Sequence, residues 1–281
     1  MTQHGAIRKS LIKTGQEVFE MFLNKSVKPK EEDFIGVEGF GGIYTTESIK
    51  EDRRRVEYVK ASKDYEKPTS ASIVLENMMV KVMEESEWLL PEGGEVNISH
   101  TTEFDDIIEN GAHADAVVEM KTKDGTIIYF GIDFTTAEHP DRLNKKRNRY
   151  IDAIKQEKLF TVKYFQSDID DYRGPLQEIP VFAVGIDRET LAKMCEDYGI
   201  SRDLSKCYVQ HMVMEEILHQ LDEDIAQAHV QHGYESSLCE KLEIYREILL
   251  EIAEKKNSLR PKDFDVKAAE DKTYTFIKKY F

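Results

Sequence analysis

Apolar residues recur along the chain with two different periods, and each period predicts one kind of element. A spacing of three and four residues predicts an amphipathic helix near the N-terminus and another over residues 71–87, which Thr69 or Ser70 would cap. The apolar positions of these two helices are Ile7, Leu11, Ile12, Val18, Phe19, Phe22 and Leu23, then Ile73, Val74, Met78, Val82 and Met83. Glu76 lies near the buried side of the second helix.

Four glycines between these helices indicate turns and short strands. They are Gly36, Gly39, Gly41 and Gly42. Their spacing matches neither the dinucleotide-binding nor the Walker pattern, so it favours turns over a phosphate-binding loop. The three arginines at 53–55 lie in an alternating stretch that ends at Val59, and alternation is typical of a strand.

The middle of the chain consists of shorter apolar runs that predict strands. The runs 114–120 and 126–136 flank a Lys-Asp-Gly turn at 123–125, and together they predict a β-hairpin. Further strands are expected at 89–100, 159–165 and 179–186, and a basic helix at 141–158. The predicted order from residue 71 is therefore helix, strands, hairpin, helix, strand.

The C-terminal third returns to helical spacing and predicts an antiparallel αα-hairpin. One apolar seam, on a helix of about 30 residues, runs from Leu204 to Ala228, Gly233 interrupts the helix, and a second seam runs from Leu238 to Ile252. The seams could pack on each other, on the preceding αβ region or on a second protomer, and spacing alone does not choose. A homodimer or a protein partner bound through these helices therefore stays open.

These elements predict an α+β fold in which a mixed β-sheet is flanked by helices. Residues 1–67 form an N-terminal helix with a glycine-rich strand and turn region, 68–187 an αβ core, and 188–281 a helical extension. The composition, 40% hydrophobic and 33% charged, is that of a folded globular chain.

Charge and targeting signals limit the partners. With 54 acidic against 39 basic residues the net charge is −15, so any nucleic-acid contact must be local. No apolar stretch is long enough for a bilayer and no secretory signal is evident, so we expect a cytoplasmic protein without a membrane partner. Three cysteines without C-x-x-C spacing do not indicate a disulfide framework or a cysteine zinc site.

The predicted hairpin brings two carboxylates together. Asp115 begins its first strand and Asp133 ends the second, where Ile132 and Phe134 flank it, so the two aspartates should converge at one sheet end. A carboxylate in such apolar surroundings requires a counter-charge. Two carboxylates, helped by a backbone carbonyl, form an oxygen site suited to Mg²⁺ or Mn²⁺, which could polarise a phosphodiester and activate a water.

This segment resembles the core of the PD-(D/E)xK nuclease superfamily, which has a restriction-endonuclease-like fold. The resemblance rests on Asp115, on Ile132-Asp133-Phe134-Thr135 beginning 17 positions later, and on the helices before and after them, over roughly residues 71–186. It implies a divalent-metal-dependent nuclease, with DNA rather than RNA as the expected substrate. It also implies that Asp115, Asp133 and the carbonyl of Phe134 are metal ligands and that Glu76 is a further acidic ligand.

The chain departs from the superfamily pattern at two positions. Ala114 stands where members have proline, and Thr135 stands where they have the catalytic lysine, whose charge a hydroxyl cannot supply. The nearest replacements are Lys145 and Lys146, on a helix segment with seven basic and three acidic residues. The alternative is that Thr135 marks a domain that kept the fold and lost the reaction.

Other polar residues have simpler interpretations. The two aspartates could be turn-flanking or salt-bridged carboxylates, and Glu103, Asp105 and Asp106 are alternative acidic contributors that are more often surface residues. His113 lies near Asp115 in sequence. His211, Glu215 and His219 share one helix stripe, but Glu216 and His219 form only a single Glu-x-x-His, whereas a di-iron bundle needs two.

Two functional hypotheses follow from the sequence. The first is a Mg²⁺- or Mn²⁺-dependent nuclease in which Asp115 and Asp133 bind the metal and a lysine from elsewhere supplies the positive charge. The second is a catalytically inactive nuclease-like domain that binds a protein partner, or a second copy of itself, through the C-terminal helices.

Overall fold

A mixed four-stranded sheet forms the centre of the protein. The computed structural model describes residues 14–25, 39–63, 65–108, 113–136 and 140–281. The strands are β1 (Glu95–His100), β2 (Ala116–Lys121), β3 (Ile127–Thr135), β4 (Phe160–Gln166), β5 (Arg173–Ile179) and β6 (Val181–Gly185). The central sheet has the order β1-β2-β3-β6, with β1, β2 and β3 antiparallel and β6 parallel to β3, while β4 and β5 form a separate antiparallel pair.

Ten α-helices and two short 3₁₀-helices accompany these strands within the described ranges. The α-helices are α1 (Gly15–Leu23), α2 (Thr46–Ala61), α3 (Ser70–Glu85), α4 (Glu103–Ile107), α5 (Pro140–Lys155), α6 (Arg188–Ser201), α7 (Val209–His232), α8 (Ser237–Lys256), α9 (Phe264–Glu270) and α10 (Lys272–Tyr280). The 3₁₀-helices are Phe40–Gly42 and Asn257–Leu259. The α+β class is therefore confirmed. None of the described helices has the length and apolar character needed to cross a bilayer.

The β2–β3 hairpin forms as its sequence predicts. The ladder runs from Lys121↔Ile127 to Ala116↔Ile132, and Gly125 closes the turn with φ of +88°. A positive φ at this position suits glycine, which has no Cβ to clash with its own backbone. Thr69 caps α3 by accepting a hydrogen bond from the N–H of Ser72, as predicted for that helix start.

Each face of the sheet is covered by a different set of elements, because side chains alternate along a strand. One face, which includes Ile132 and Phe134, packs against α3, α7 and α8. The opposite face, which includes Val117 and Ala183, packs against α5, α10 and the β4–β5 pair. The sheet is thus buried on both sides, and α5 lies on the face to which the odd-numbered residues of β3 belong.

Helix α7 covers the outer edge of the sheet. The side-chain amide of Gln220 donates to the carbonyl of Ala183 at 2.7 Å and accepts from its N–H at 2.9 Å. Glu216 Oε2 accepts from the N–H of Gly185 at 3.2 Å. These side chains satisfy backbone groups of β6 that a neighbouring strand would otherwise bind.

The αα-hairpin is present, but its seams are part of the protein's own core. Helix α7 begins at Val209, so Leu204 and Cys207 precede it and the helix has 24 residues rather than about 30. Its seam and that of α8 pack together and on the sheet face formed by Ile132 and Phe134. From spacing alone, the seams could have packed on each other, on the αβ region or on a second protomer. The structure shows that they pack on each other and on the αβ region.

Two of the elements that differ from the predicted ones are α2 and β5. The stretch around the arginines at 53–55 is helix α2, whose buried residues Ile49, Asp52 and Val56 have helical spacing while its many polar residues face solvent. Strand β5 was not predicted, because Gly174 and Pro175 interrupt its apolar pattern. Residues Ile7, Leu11, Ile12 and Gly36, which entered the predictions for the N-terminal region, lie outside the described residues.

A buried ion pair attaches α5 to α7 and generates a stability prediction. Arg147 Nη1 lies 3.0 Å from Asp224 Oδ1, and both side chains are almost fully buried. Replacement Asp224→Ala should lower the free energy of unfolding by about 3–5 kcal/mol, because it leaves the guanidinium buried without its partner. Urea denaturation followed by circular dichroism measures the change.

The exposed pair Arg246–Asp222, at 2.5 Å, provides the control. Asp222→Ala should cost less than about 1 kcal/mol, because solvent screens this pair. Equal losses for the two variants would contradict the assigned role of the buried pair.

Candidate active site

The two predicted aspartates lie side by side at the end of the hairpin. The β2–β3 register, extended by one residue beyond Ala116↔Ile132, sets Asp115 opposite Asp133. The N–H of Asp115 donates to the carbonyl of Ile132 at 2.7 Å, and its Oδ2 accepts from the N–H of Phe134, also at 2.7 Å. Alternation along the strands places both aspartates on the sheet face covered by α5.

Asp133 is surrounded by donors from a single helix face. Lys146 Nζ forms an ion pair with Oδ1, Arg149 Nη2 lies 3.3 Å from Oδ2, and the hydroxyl of Tyr150 donates to Oδ2 at 2.9 Å. Positions 146, 149 and 150 are neighbours on one side of α5 because three- and four-residue steps complete a helical turn. The counter-charge that the sequence required for Asp133 is therefore supplied from this helix.

These partners decide the protonation state of Asp133. Burial alone would raise the pKa of this carboxyl, but the positive charges of Lys146 and Arg149 and the hydrogen bonds from Lys146 and Tyr150 outweigh it. The pKa of Asp133 therefore lies below its ordinary value, and the residue is a carboxylate at neutral pH.

Tyr150 holds this arrangement against the core. Its ring is buried and makes edge contacts with Phe160, at a centroid distance of 5.7 Å. Burial, followed by the nearby charge of Asp133, raises the pKa of Tyr150 well above its ordinary value, so the hydroxyl keeps its proton and acts as a donor. Arg149 also lies over this ring, 5.1 Å from its centroid.

The other predicted site residues have different positions. Thr135 is buried where β3 meets β6 and α10, and its methyl group lies close to Gly185. Lys145 is exposed on α5, where it lines a groove, and does not pair with Asp133. Glu76 is buried in α3, on the helix layer that covers the opposite sheet face.

The predicted metal ligands do not form one acidic cluster. Within the described ranges, no three His, Cys, Asp or Glu side chains converge in a way that could hold a metal ion, so Glu76 is not joined to the two aspartates. The N–H of Phe134 is bound by Asp115, and the oxygen donors that remain as candidates are the two carboxylates and the Phe134 carbonyl. Oxygen donors of this kind are the type that a hard cation binds, but both carboxylate oxygens of Asp133 are already bound by Lys146, Arg149 and Tyr150.

A groove runs along α5 beside Arg149, one of the partners of Asp133. It has a volume of about 680 Å³, and its lining includes His113, Lys145, Arg149, Lys158 and Phe160. Arg149 links it to Asp133, and His113 lies two residues before Asp115. The groove is therefore connected to the aspartate pair through Arg149, although neither aspartate lines it.

Several acidic residues considered from the sequence have structural partners. Glu103 pairs with Lys60 at 2.6 Å. Asp105 is buried and accepts hydrogen bonds from the N–H groups of Lys163 and Tyr164, at 2.6 and 3.1 Å, which fixes α4 against β4.

The histidine stripe of α7 belongs to the protein's interior. His211 is buried against the ring of Phe264, and burial lowers the pKa of its imidazole. Glu215 binds Arg260 and Tyr274, and Glu216 accepts a hydrogen bond from the N–H of Gly185 at the sheet edge. Burial raises the pKa of Glu216 well above its ordinary value.

Sequence reasoning missed Arg149 and Tyr150. Lys146 was named because it is near Asp133 in sequence, but the same logic extended by one helical turn would have added positions 149 and 150. The basic composition of residues 141–158 was consistent with a cation such as Arg149 near Asp133. The role of the Tyr150 hydroxyl could be recognised only from the folded structure.

Comparisons of the chain with protein-family models, with curated proteins and with solved structures found no match.

The lowered pKa of Asp133 predicts a specific pH dependence of stability. Because the folded-state pKa lies below the unfolded one, its contribution is present above the ordinary carboxyl range and is lost as pH falls through the folded pKa. Asp133→Asn should cost about 1.5–3 kcal/mol at neutral pH, the usual range for a hydrogen-bonded charge, and progressively less as pH falls below about 4.

Urea denaturation at several pH values measures the difference between wild type and variant. Asp152→Asn is the control, since Asp152 is exposed on the same helix and its pairing with Lys155 is solvent-screened. A difference for Asp133→Asn that stays constant from neutral to acid pH would contradict the ion-paired state of Asp133.

Proposed function

We propose that the protein is a divalent-metal-dependent nuclease of the PD-(D/E)xK type, with a restriction-endonuclease-like core and DNA as its expected substrate. One observation carries the proposal. Lys146, from the helix after β3, forms an ion pair with Asp133. A lysine is therefore next to this carboxylate in the fold, although Thr135 occupies the motif position in the sequence.

The order of elements supports this proposal. Helix α3 precedes β1, β2 and β3, helix α5 follows, and β6 returns parallel to β3. Apart from the short helix α4 between β1 and β2, this is the helix, three strands, helix, strand order that the resemblance implies. The β4–β5 pair lies between α5 and β6 and contributes to the layer over the aspartates.

The roles of the residues follow from their positions and charges. Asp115, Asp133 and the Phe134 carbonyl would hold Mg²⁺ or Mn²⁺, which when bound polarises a phosphodiester and lowers the pKa of a water. Lys146 and Arg149 place positive charge beside the same end of the sheet, where negative charge grows on the phosphoryl oxygens. Tyr150 keeps Asp133 in position through its hydrogen bond.

The alternative hypothesis, a scaffold acting through the C-terminal helices, has lost its main support. The seam residues of α7 and α8 that would have formed its interface are buried in the core of this chain. The Asp133 cluster, in contrast, lies beside an open groove.

The proposal predicts a nuclease activity that depends on Lys146. Wild type should cleave DNA with Mn²⁺ or Mg²⁺, and Lys146→Ala should reduce the rate about 10²–10³-fold, the usual cost of removing one charge-stabilising donor. A gel assay with labelled DNA and RNA substrates measures cleavage. Lys155→Ala is the matched control, because Lys155 lies on the same helix and is half exposed.

Mn²⁺ binding, followed by electron paramagnetic resonance, separates the metal site from the reaction. Asp133→Asn should weaken binding and abolish cleavage, while the Lys155→Ala variant should match wild type in both. The nuclease assignment fails if wild type neither binds Mn²⁺ nor cleaves any substrate, or if Lys146→Ala and Lys155→Ala cleave equally well.

A further inference from the structure

We infer that the α5 groove, lined by His113, Lys145, Arg149, Lys158 and Phe160 among others, binds a single-stranded polynucleotide rather than a duplex. This inference rests on the proposed function and names the substrate form that the site accepts. Its argument comes from the charges, the size and the aromatic wall of the groove.

The groove gathers basic groups that the protein itself leaves unused. Lys145 and Lys158 are exposed and form no ion pair within the described part of the chain. Arg149 uses Nη2 for Asp133, while its buried Nε has no hydrogen-bond partner among the described residues. The two exposed ammonium groups are available to phosphate oxygens.

Other cations of the same helix are already neutralised. Arg142 is paired with Glu66, Arg147 with Asp224, and Lys155 with Asp152. The unused charges of α5 are therefore concentrated on its groove side. The acidic residue that also lines the groove, Asp152, is the partner of Lys155.

The small size of this basic patch excludes a duplex as the preferred ligand. Duplex DNA carries one negative charge per roughly 1.7 Å of its axis, and a protein must cover many phosphates to hold it. This chain has a net charge of −15, so most of the surface beyond the groove would repel those phosphates. A flexible single strand can place a few phosphates in a groove of about 680 Å³ and direct the remainder away.

Phe160 adds a feature that suits unpaired bases. Its ring is half-buried, forms part of the groove wall and makes an edge contact with the ring of Tyr150. Single-stranded binders commonly combine a basic groove with an aromatic platform on which a base stacks, and a base is accessible for stacking only when it is unpaired. Tyr150 in turn contacts Asp133, so a base on Phe160 would lie next to the aspartate pair.

Binding without cleavage tests the inference directly. Fluorescence anisotropy in EDTA compares labelled single strands of about 12 nucleotides, DNA and RNA, with a duplex of the same sequence. Wild type should bind the single strands at least about tenfold more tightly than the duplex. The DNA and RNA arms distinguish which polymer the groove prefers.

Salt titration assigns the contacts. Lys145→Ala and Lys158→Ala should each lower the slope of log affinity against log salt by about 0.7, the value for one phosphate contact to a single strand. Lys155→Ala, at an exposed lysine of the same helix that does not line the groove, should leave both the slope and the affinity unchanged. Phe160→Leu should weaken binding to single strands by about tenfold through loss of stacking.

The outcomes separate this inference from the proposed function. Duplex binding as tight as single-strand binding, or unchanged salt slopes in both lysine variants, overturns the groove assignment even if the protein is a metal-dependent nuclease. Single-strand binding that depends on Lys145 and Lys158 supports the assignment even if no cleavage is found with Mn²⁺, in which case the proposed nuclease activity alone fails.

Discussion

The organisation of this protein depends on one buried negative charge, that of Asp133. An isolated carboxylate on an apolar strand would be strongly unfavourable, so the helix that follows the strand must lie where its cations reach the carboxylate. Lys146, Arg149 and Tyr150 meet this requirement together because one helical turn brings them to the same side. The position and rotation of α5 are therefore linked electrostatically to the end of β3.

The other side of α5 is fixed by a second charge pair. Arg147 points away from Asp133 and binds Asp224 of α7, so the helix is held between the sheet and the C-terminal hairpin by ionic contacts on two faces. The hairpin is consequently part of the structure that positions the site. Gln220 and Glu216 of the hairpin also form hydrogen bonds with the backbone groups at the outer edge of β6. These hydrogen bonds fix the position of α7 against the sheet.

Local patterns were sufficient to predict the aspartate pair but not its surroundings. The β2–β3 hairpin was predictable because alternating apolar residues and a Lys-Asp-Gly turn determine its register within 21 residues, and that register sets Asp115 opposite Asp133. The rotation of α5 depends on burial of Leu143 and on the distant Asp224, so sequence proximity favoured Lys145 and Lys146 equally. Helix α2 was mistaken for a strand since its polar majority conceals three helically spaced buried positions.

The environment of Thr135 limits which side chains position 135 can hold. Its methyl group lies where a Cβ on Gly185 would come within 2.8 Å, and the same hypothetical atom would meet Thr273 of α10 at 2.5 Å. Thr135 is buried and α10 packs tightly against the neighbouring Gly185, so a longer side chain at position 135 would require α10 to move. Packing against the C-terminal helix, and not the chemistry of the aspartate pair, therefore limits position 135 to a small side chain.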